Sequence, residues 1–209
     1  MTAQDIATEK VRLVTLTMEL IERRGAAIDR AILATEAGVS RARIEAIFPE
    51  DADLFDAIIE QWYAPDVAIM EEVVASDLPI RRKFYEFYAR RFERDLERFQ
   101  RDPATYALYV ELGEAHFDRV RGYIDLGDHY LTELIAQAQD DGFFAGLEID
   151  RALTLINQML ACYVSPQLML ILSERLALDK LAAIIDTLFA GLSAEDGSAM
   201  GVNTLKIAT

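Results

Sequence analysis

Apolar residues recur every three to four positions along almost the whole of this chain, and no stretch of Val, Ile, Thr and aromatics alternates with period two for long enough to make a strand. That pattern confines the fold to the all-α class. In a first helix, expected over about Asp5–Arg24, Val11, Val14, Met18 and Ile21 share one face, and Gly25 supplies a left-handed stop. Asp29 is placed to cap a second, short helix over Arg30–Ala37, which Gly38 ends. Val39 is an apolar joint, and Ser40 caps a third helix running through Phe48. Two short helices joined at a glycine form a helix-turn-helix signature. Pro49 interrupts the third helix, and Asp51 or Asp53 starts a fourth that carries Leu54, Ile58 and Trp62 until Pro65, where the helix is expected to bend or break.

Beyond Ser76-Asp77-Leu78-Pro79 a long amphipathic helix, Ile80–Arg101, places Phe84, Tyr88 and Phe92 on one stripe. Asp102-Pro103 ends it and starts the next, giving helices over about Pro103–Ala115 and Phe117–Asp141 before the Asp140-Asp141-Gly142 loop. Asp150–Val164 and Leu178–Leu192 are the last long helices, with Pro166 disturbing the piece between them. This yields an expected organisation of a helix-turn-helix domain over 1–50, a connecting helix region over 51–78, a larger helical domain over 79–192, and a flexible tail over 193–209.

With 209 residues, 52% of them hydrophobic, the chain is long enough to bury a sizeable core. Met1–Lys10 is polar and already carries Asp5 and Glu9, unlike a secretory leader. The most apolar stretch, Met159–Leu172, is too short to cross a bilayer and is expected to be a buried helix, so no membrane is implied. The single cysteine, Cys162, excludes an internal disulfide framework, is expected to be a buried structural thiol, and suits a cytoplasmic location. A net charge of −15 disfavours contact with nucleic acid, which is driven by Lys and Arg displacing counterions, unless a local basic surface does that work.

The segment Asp29–Phe55, DRAILATEAGVSRARIEAIFPEDADLF, resembles the DNA-binding domain of TetR-family regulators. It carries Ala37-Gly38-Val39-Ser40, Ile44, Phe48-Pro49 and Leu54-Phe55 at the places where that family has its capped turn, recognition helix and connecting helix. The resemblance implies that the N-terminal residues of the third helix, Ser40, Arg41, Ala42 and Arg43, enter the major groove of double-stranded DNA, with Lys10 and Arg30 holding the flanking backbone. Arg41 and Arg43 can each bind a phosphate or read guanine O6 and N7. Two positions depart from the family pattern: Glu45 stands where a phosphate-binding tyrosine is usual, and Asp51 where a lysine is usual. Residues 1–60 hold seven Lys and Arg against twelve Asp and Glu, a net of −5. Glu45 opposes a phosphate unless it accepts from cytosine N4 or ties down Arg41 in an i,i+4 pair, and Asp51 can be a helix cap.

The resemblance also implies a ligand-sensing domain that forms a homodimer through the last two long helices. Leu153, Ile156, Leu160, Leu181, Ile184, Ile185 and Leu188 make broad apolar faces there, suited to a two-fold interface. Aromatic residues crowd the middle of the chain, and Tyr88, Phe92, Tyr109, Phe117, Tyr130 and Met159 are the candidate lining of a pocket for an apolar small molecule with one or two polar handles. His116 and His129 match no compact zinc spacing, so no metal and no cofactor is expected. The arginines of Ile80–Arg101 alternate with carboxylates as in a solvated, salt-bridged face. Without a phosphate loop, a nucleophile elbow or a Cys–His pairing, the chain is not expected to be an enzyme. The leading expectation is a ligand-responsive, homodimeric DNA-binding repressor. The alternative is a TetR-like fold that has lost DNA binding and serves as a binding module for a protein partner, a lipid or a small molecule.

Overall fold

A computed structural model describes residues 3–25 and 28–194. The expected tail from 195 onward lies outside them. The described residues contain no strand, and the all-α class holds. The helices are α1 (Ala3–Arg24), α2 (Arg30–Ala37), α3 (Arg41–Ile47), α4 (Asp51–Ala75), α5 (Ile80–Arg101), α6 (Pro103–Ala115), α7 (Phe117–Asp140), α8 (Ile149–Leu160), α9 (Pro166–Leu172) and α10 (Leu178–Leu192), with short 3₁₀ turns at Ala161–Tyr163 and Ser173–Arg175.

Local chemistry sets most of these boundaries. The Asp29 carboxylate accepts from Ile32 N at 2.7 Å and caps α2. Gly38 closes that helix with φ of 65°, a left-handed conformation costly for any residue with a Cβ, and Gly25 stops α1 in the same way with φ of 62°. Asp102 accepts from the N–H groups of Ala104 and Thr105 and from the Thr105 hydroxyl, while Pro103 occupies the first turn of α6. The Thr105 backbone hydrogen bond, more than any other contact, holds the Asp102 carboxyl below its ordinary range.

Of the two outcomes expected at Pro65, a bend or a break, the break does not occur: α4 stays helical through it. The ring removes one hydrogen bond to the preceding turn, yet Leu54, Ala57 and Ile58 are buried before it and Met70 and Val73 after it, so packing fixes both halves in helical conformation. The stretch Met159–Leu172 is not a buried helix but the end of α8, a 3₁₀ turn and α9, with Met159 and Ile171 exposed at 43% and 75%. Pro166 opens α9 at a position where its missing N–H is not needed, and just before it the chain breaks and bends by 49° between Ile149–Tyr163 and Pro166–Arg175, the disturbance expected there. Cys162 is only half-buried, though enough to raise its thiol pKa. Among the described residues, no single helix is long and apolar enough to cross a membrane.

The chain packs as two compact units, one formed by the residues up to Pro65 with Asp102–Tyr123, the other by Asp66–Arg101 with the residues from Ile124 onward. These differ from a simple division near residue 79, because α6 joins the N-terminal helices: Tyr109 is buried in their core, and Leu108 and Leu112 pack against it. The core of this first unit is built on Leu13, Leu20 and Ile21 of α1, Leu33 of α2, Ile44 of α3 and Phe48. Trp62 lies against Tyr109 with ring centroids 4.4 Å apart.

In the second unit α5 packs on α10, and Phe84 meets Phe189 edge to face at 5.0 Å. Phe92 meets Tyr163 in the same manner at 5.2 Å. The basic residues of α5 form the expected salt-bridged face, with Arg90 pairing to Glu72 and Glu86. Deeper in, Lys83 donates to the Val74 carbonyl at 2.9 Å and to Gln137 Oε1 at 2.8 Å, giving a partner to one of the carbonyls left over at the end of α4. Arg94 binds both oxygens of buried Asp66, and a second carboxylate, Asp95, stands 3.8 Å from the same guanidinium. Burial, and then the charge of Asp66, push the Asp95 pKa up to about 6, against the opposing pull of Arg94.

An acid whose folded pKa is raised stabilises the fold only while it is protonated, and that contribution is lost as pH rises through 6. Asp95→Asn is therefore expected to be more stable than the parent at pH 7, by about 2 kcal/mol. The gap should close towards pH 4.5, as read by urea denaturation at the two pH values. A gap that stays constant would show that Asp95 is ionised throughout.

Candidate nucleic-acid interface

The α2–turn–α3 segment presents the expected geometry. Ser40 Oγ accepts from Arg43 N at 3.2 Å and caps α3, so its main demonstrated part is structural. Ile44 and Phe48, both fully buried, press one side of α3 into the core. Arg41, Ala42, Glu45 and Ala46 form the exposed side, and Arg43 is half-buried between the two.

Every arginine expected at this surface is held by a carboxylate of the same chain. Arg41 Nε donates to Glu45 Oε1 at 2.8 Å, the i,i+4 pairing considered from sequence. Arg43 reaches Glu9 of α1. Arg30 departs furthest from its expected part in holding the DNA backbone. Its backbone N–H and Nε both donate to Asp51 Oδ1, at 3.1 and 2.9 Å, and its Nη1 donates to the carbonyls of Phe48 and Pro49. Asp51 is thus more than a cap, since it ties the start of α4 to the start of α2. The backbone hydrogen bond from Arg30, ahead of the side-chain one, holds the Asp51 carboxyl below its usual range. Lys10 lies half-buried on α1. Glu36 receives Arg23 and Arg24. Glu9 and Glu36 are the residues that sequence reading did not single out, and no local spacing connects them to their partners.

The candidate pocket residues are divided between the two units. Tyr109 and Phe117 belong to the first unit, and Tyr88, Phe92, Tyr130 and Met159 to the second. Phe117 and Met159 are exposed, at 48% and 43%, and so do not line an interior. Phe92 is core, meeting Tyr163 edge to face. Tyr130 is half-buried and donates to Glu71 at 2.8 Å. Tyr88 is the exception of interest: it is fully buried, its hydroxyl finds no hydrogen-bond partner among the described residues, and burial raises its pKa. Tyr109, with Ile21, Ile28, Phe55, Ile58 and Leu112, borders an apolar void of about 50 Å³ in the first unit, far smaller than the several hundred Å³ of a typical ligand pocket.

The candidate dimer residues also need correction. Ile156, Leu160, Leu181, Ile185 and Leu188 are buried within their own chain, at 2% exposure or less, and only Leu153 and Ile184 are half-exposed. The broad apolar faces are broad because each helix is packed on more than one side. His129 pairs with Glu133 and His116 lies beside Phe55.

Residues 81–185, half of the chain, match the family model described as "Tetracyclin repressor-like, C-terminal domain". The chain belongs to the TetR family of transcriptional regulators. Among solved structures it is similar in fold to one described as "fatty acid degradation regulator FadR from Bacillus halodurans", with 14% identity, a TM-score of 0.61 and coverage of 90% of this chain and 95% of that one. A second, a "probable transcriptional regulatory protein RHA5900", has 15% identity and a TM-score of 0.48 over 88% of this chain and 99% of that one. No curated protein sequence matches the chain. In this TetR-family chain the exposed face of α3 stands on a braced platform, with the Arg30–Asp51 contact joining α2, the α3–α4 turn and α4.

Asp51→Asn is expected to lower stability by about 1 kcal/mol at pH 7, a value reduced for the exposure of the pair. Because the folded pKa is depressed, the contribution is present above the ordinary carboxylate range and is lost as pH falls through the lower folded value. The deficit should therefore shrink in thermal melts taken below pH 4.

Proposed function

We propose that this protein is a ligand-responsive repressor that acts in the cytoplasm as a homodimer on a palindromic site in double-stranded DNA. Residues 1–50 contact the operator, 51–78 form the connecting region, and within 79–192 the helices of the second unit sense the ligand and dimerise. The observation that carries the reading is the α2–α3 pair: a capped, left-handed turn and a recognition helix whose inner face is locked by Ile44 and Phe48 and whose outer face carries Arg41. Family membership supports it from the other end of the chain.

The dimer needs an apolar surface still exposed on the folded chain. Met159 and Ile171, with half-buried Leu153 and Ile184, supply it on α8, α9 and α10. The ligand is an apolar molecule with a polar handle, and the unsatisfied Tyr88 hydroxyl is the group best suited to greet that handle. Ligand and DNA oppose each other because each stabilises a different separation of the two recognition helices, which must lie roughly 34 Å apart to enter successive major grooves.

A second reading, a TetR-like fold without DNA binding, is favoured by one observation: Glu9, Glu45 and Asp51 already neutralise Arg43, Arg41 and Arg30. Selection of binders from a random duplex pool with the purified protein, across a range of salt, separates the two. The repressor enriches a palindrome with half-sites about one helical turn apart, whereas the binding module enriches nothing even at low salt.

Glu45→Tyr, which restores the family's usual phosphate contact, is expected to raise affinity for duplex DNA of random sequence by at least about threefold at low salt, as read by fluorescence anisotropy. Introducing Met159→Glu and Ile171→Glu together is expected to convert the dimer to monomers in sedimentation velocity, with the helical circular dichroism unchanged. Persistence of the dimer would move the interface elsewhere.

A further inference from the structure

Resting on the DNA-binding reading above, we propose that Arg41 and Glu45 act as one composite reader of a single G·C base pair in each half-site, with Glu45 accepting from cytosine N4 while Arg41 donates to guanine O6 and N7. The argument begins with which side chains are available. Ile44 is fully buried and Arg43 is half-buried on Glu9, so the charged groups left on the outer side of α3 are Arg41 and Glu45, whose side chains are 73% and 44% exposed. They stand one helical turn apart on the same face, and their heads meet at 2.8 Å. Heads that close together fall on one base pair rather than on two separated ones.

The hydrogen-bond inventory then selects the base pair. A guanidinium has five N–H donors, and engaging Nε leaves the four on its two Nη groups. A carboxylate that accepts one bond at Oε1 keeps Oε2 as an acceptor. Side by side, the pair presents two donors and then an acceptor. Across the major groove, G·C presents the acceptors N7 and O6 of guanine followed by the N4 donor of cytosine, the complementary order. An A·T pair offers an acceptor, a donor and then thymine O4 and its methyl group, so Glu45 would face an acceptor. The same mutual pairing leaves the two side chains without net charge, which lowers the cost of bringing a carboxylate into the groove. Glu45 at a position where the family usually holds a phosphate-binding tyrosine is then a reader of sequence rather than a flaw in the interface.

The test selects sites from a random duplex pool with the parent protein, Glu45→Gln and Arg43→Gln, then measures anisotropy on duplexes carrying each of the four base pairs at the position in question. All three proteins are checked for unchanged helical circular dichroism. The parent is expected to prefer G·C at one fixed position of each half-site by about tenfold or more, the scale of a good bidentate contact. Glu45→Gln should reduce that preference to about threefold or less, since an amide both donates and accepts, and should leave the other positions unchanged. Arg43→Gln should leave the preference intact. A site enriched with the same preference in Glu45→Gln, or a preference relaxed by Arg43→Gln alone, overturns the composite reader while leaving DNA binding in place. If the parent enriches no site at any salt concentration, the DNA-binding reading itself fails and the inference falls with it.

Discussion

With Ile44 and Phe48 fully buried, α3 has only one face left to offer, and the rest of the N-terminal unit serves to hold that face still. A seven-residue helix is too short to be stable alone, because nucleation costs more than a few backbone hydrogen bonds return. It persists because it is capped at Ser40, preceded by a left-handed turn at Gly38, and anchored through two apolar side chains. The Arg30–Asp51 contact adds a polar strap, joining the first residue of α2 to the first residue of α4 and to the carbonyls of the turn between α3 and α4. Rigid placement of a short recognition helix is what direct readout demands, since a bidentate contact tolerates little displacement.

How much of this was legible in the sequence depends on the range of the interaction. The caps at Asp29, Ser40 and Asp102, the stops at Gly25 and Gly38 and the pairing of Arg41 with Glu45 lie within four residues of their partners, and local spacing is enough to find them. Arg30 with Asp51 and Arg43 with Glu9 are 21 and 34 residues apart, so their pairing exists only once the helices have packed. Pro65 is a related case. A proline's local cost is fixed by its ring, but whether a helix survives it is decided by burial on either side.

The larger domain shows the same limit in a different form. Helical periodicity identified that Ile156, Leu160, Leu181, Ile185 and Leu188 face something apolar, and it carried no information on whether that is a partner or the same chain. Here it is the same chain. The aromatic residues were ambiguous in the same way: Phe92 and Tyr88 share a stripe on α5, yet one is core packed edge to face on Tyr163 and the other carries a buried hydroxyl with no hydrogen-bond partner among the described residues. Only the second has an unmet requirement, and an unmet hydrogen bond in a dry interior is a better guide to a ligand's polar end than aromatic density.

The charge of the chain, −15 overall and −5 in its first 60 residues, takes on a definite meaning once the partners are known. A regulator that relied on loose arginines would bind any duplex through phosphates, with affinity that collapses as salt rises. Here Arg43 and Arg30 are engaged in holding helices together, and Arg41 is matched by Glu45. Such a surface offers few loose cations to phosphates, and on the proposed reading the binding energy comes from a sequence that meets both members of the exposed pair. Carboxylates that weaken non-specific binding more than specific binding raise the ratio between the two. For a protein competing with an excess of random sites, that ratio matters more than affinity alone. The acidic N-terminal unit is thus compatible with recognition, provided that recognition runs through hydrogen bonds to base edges.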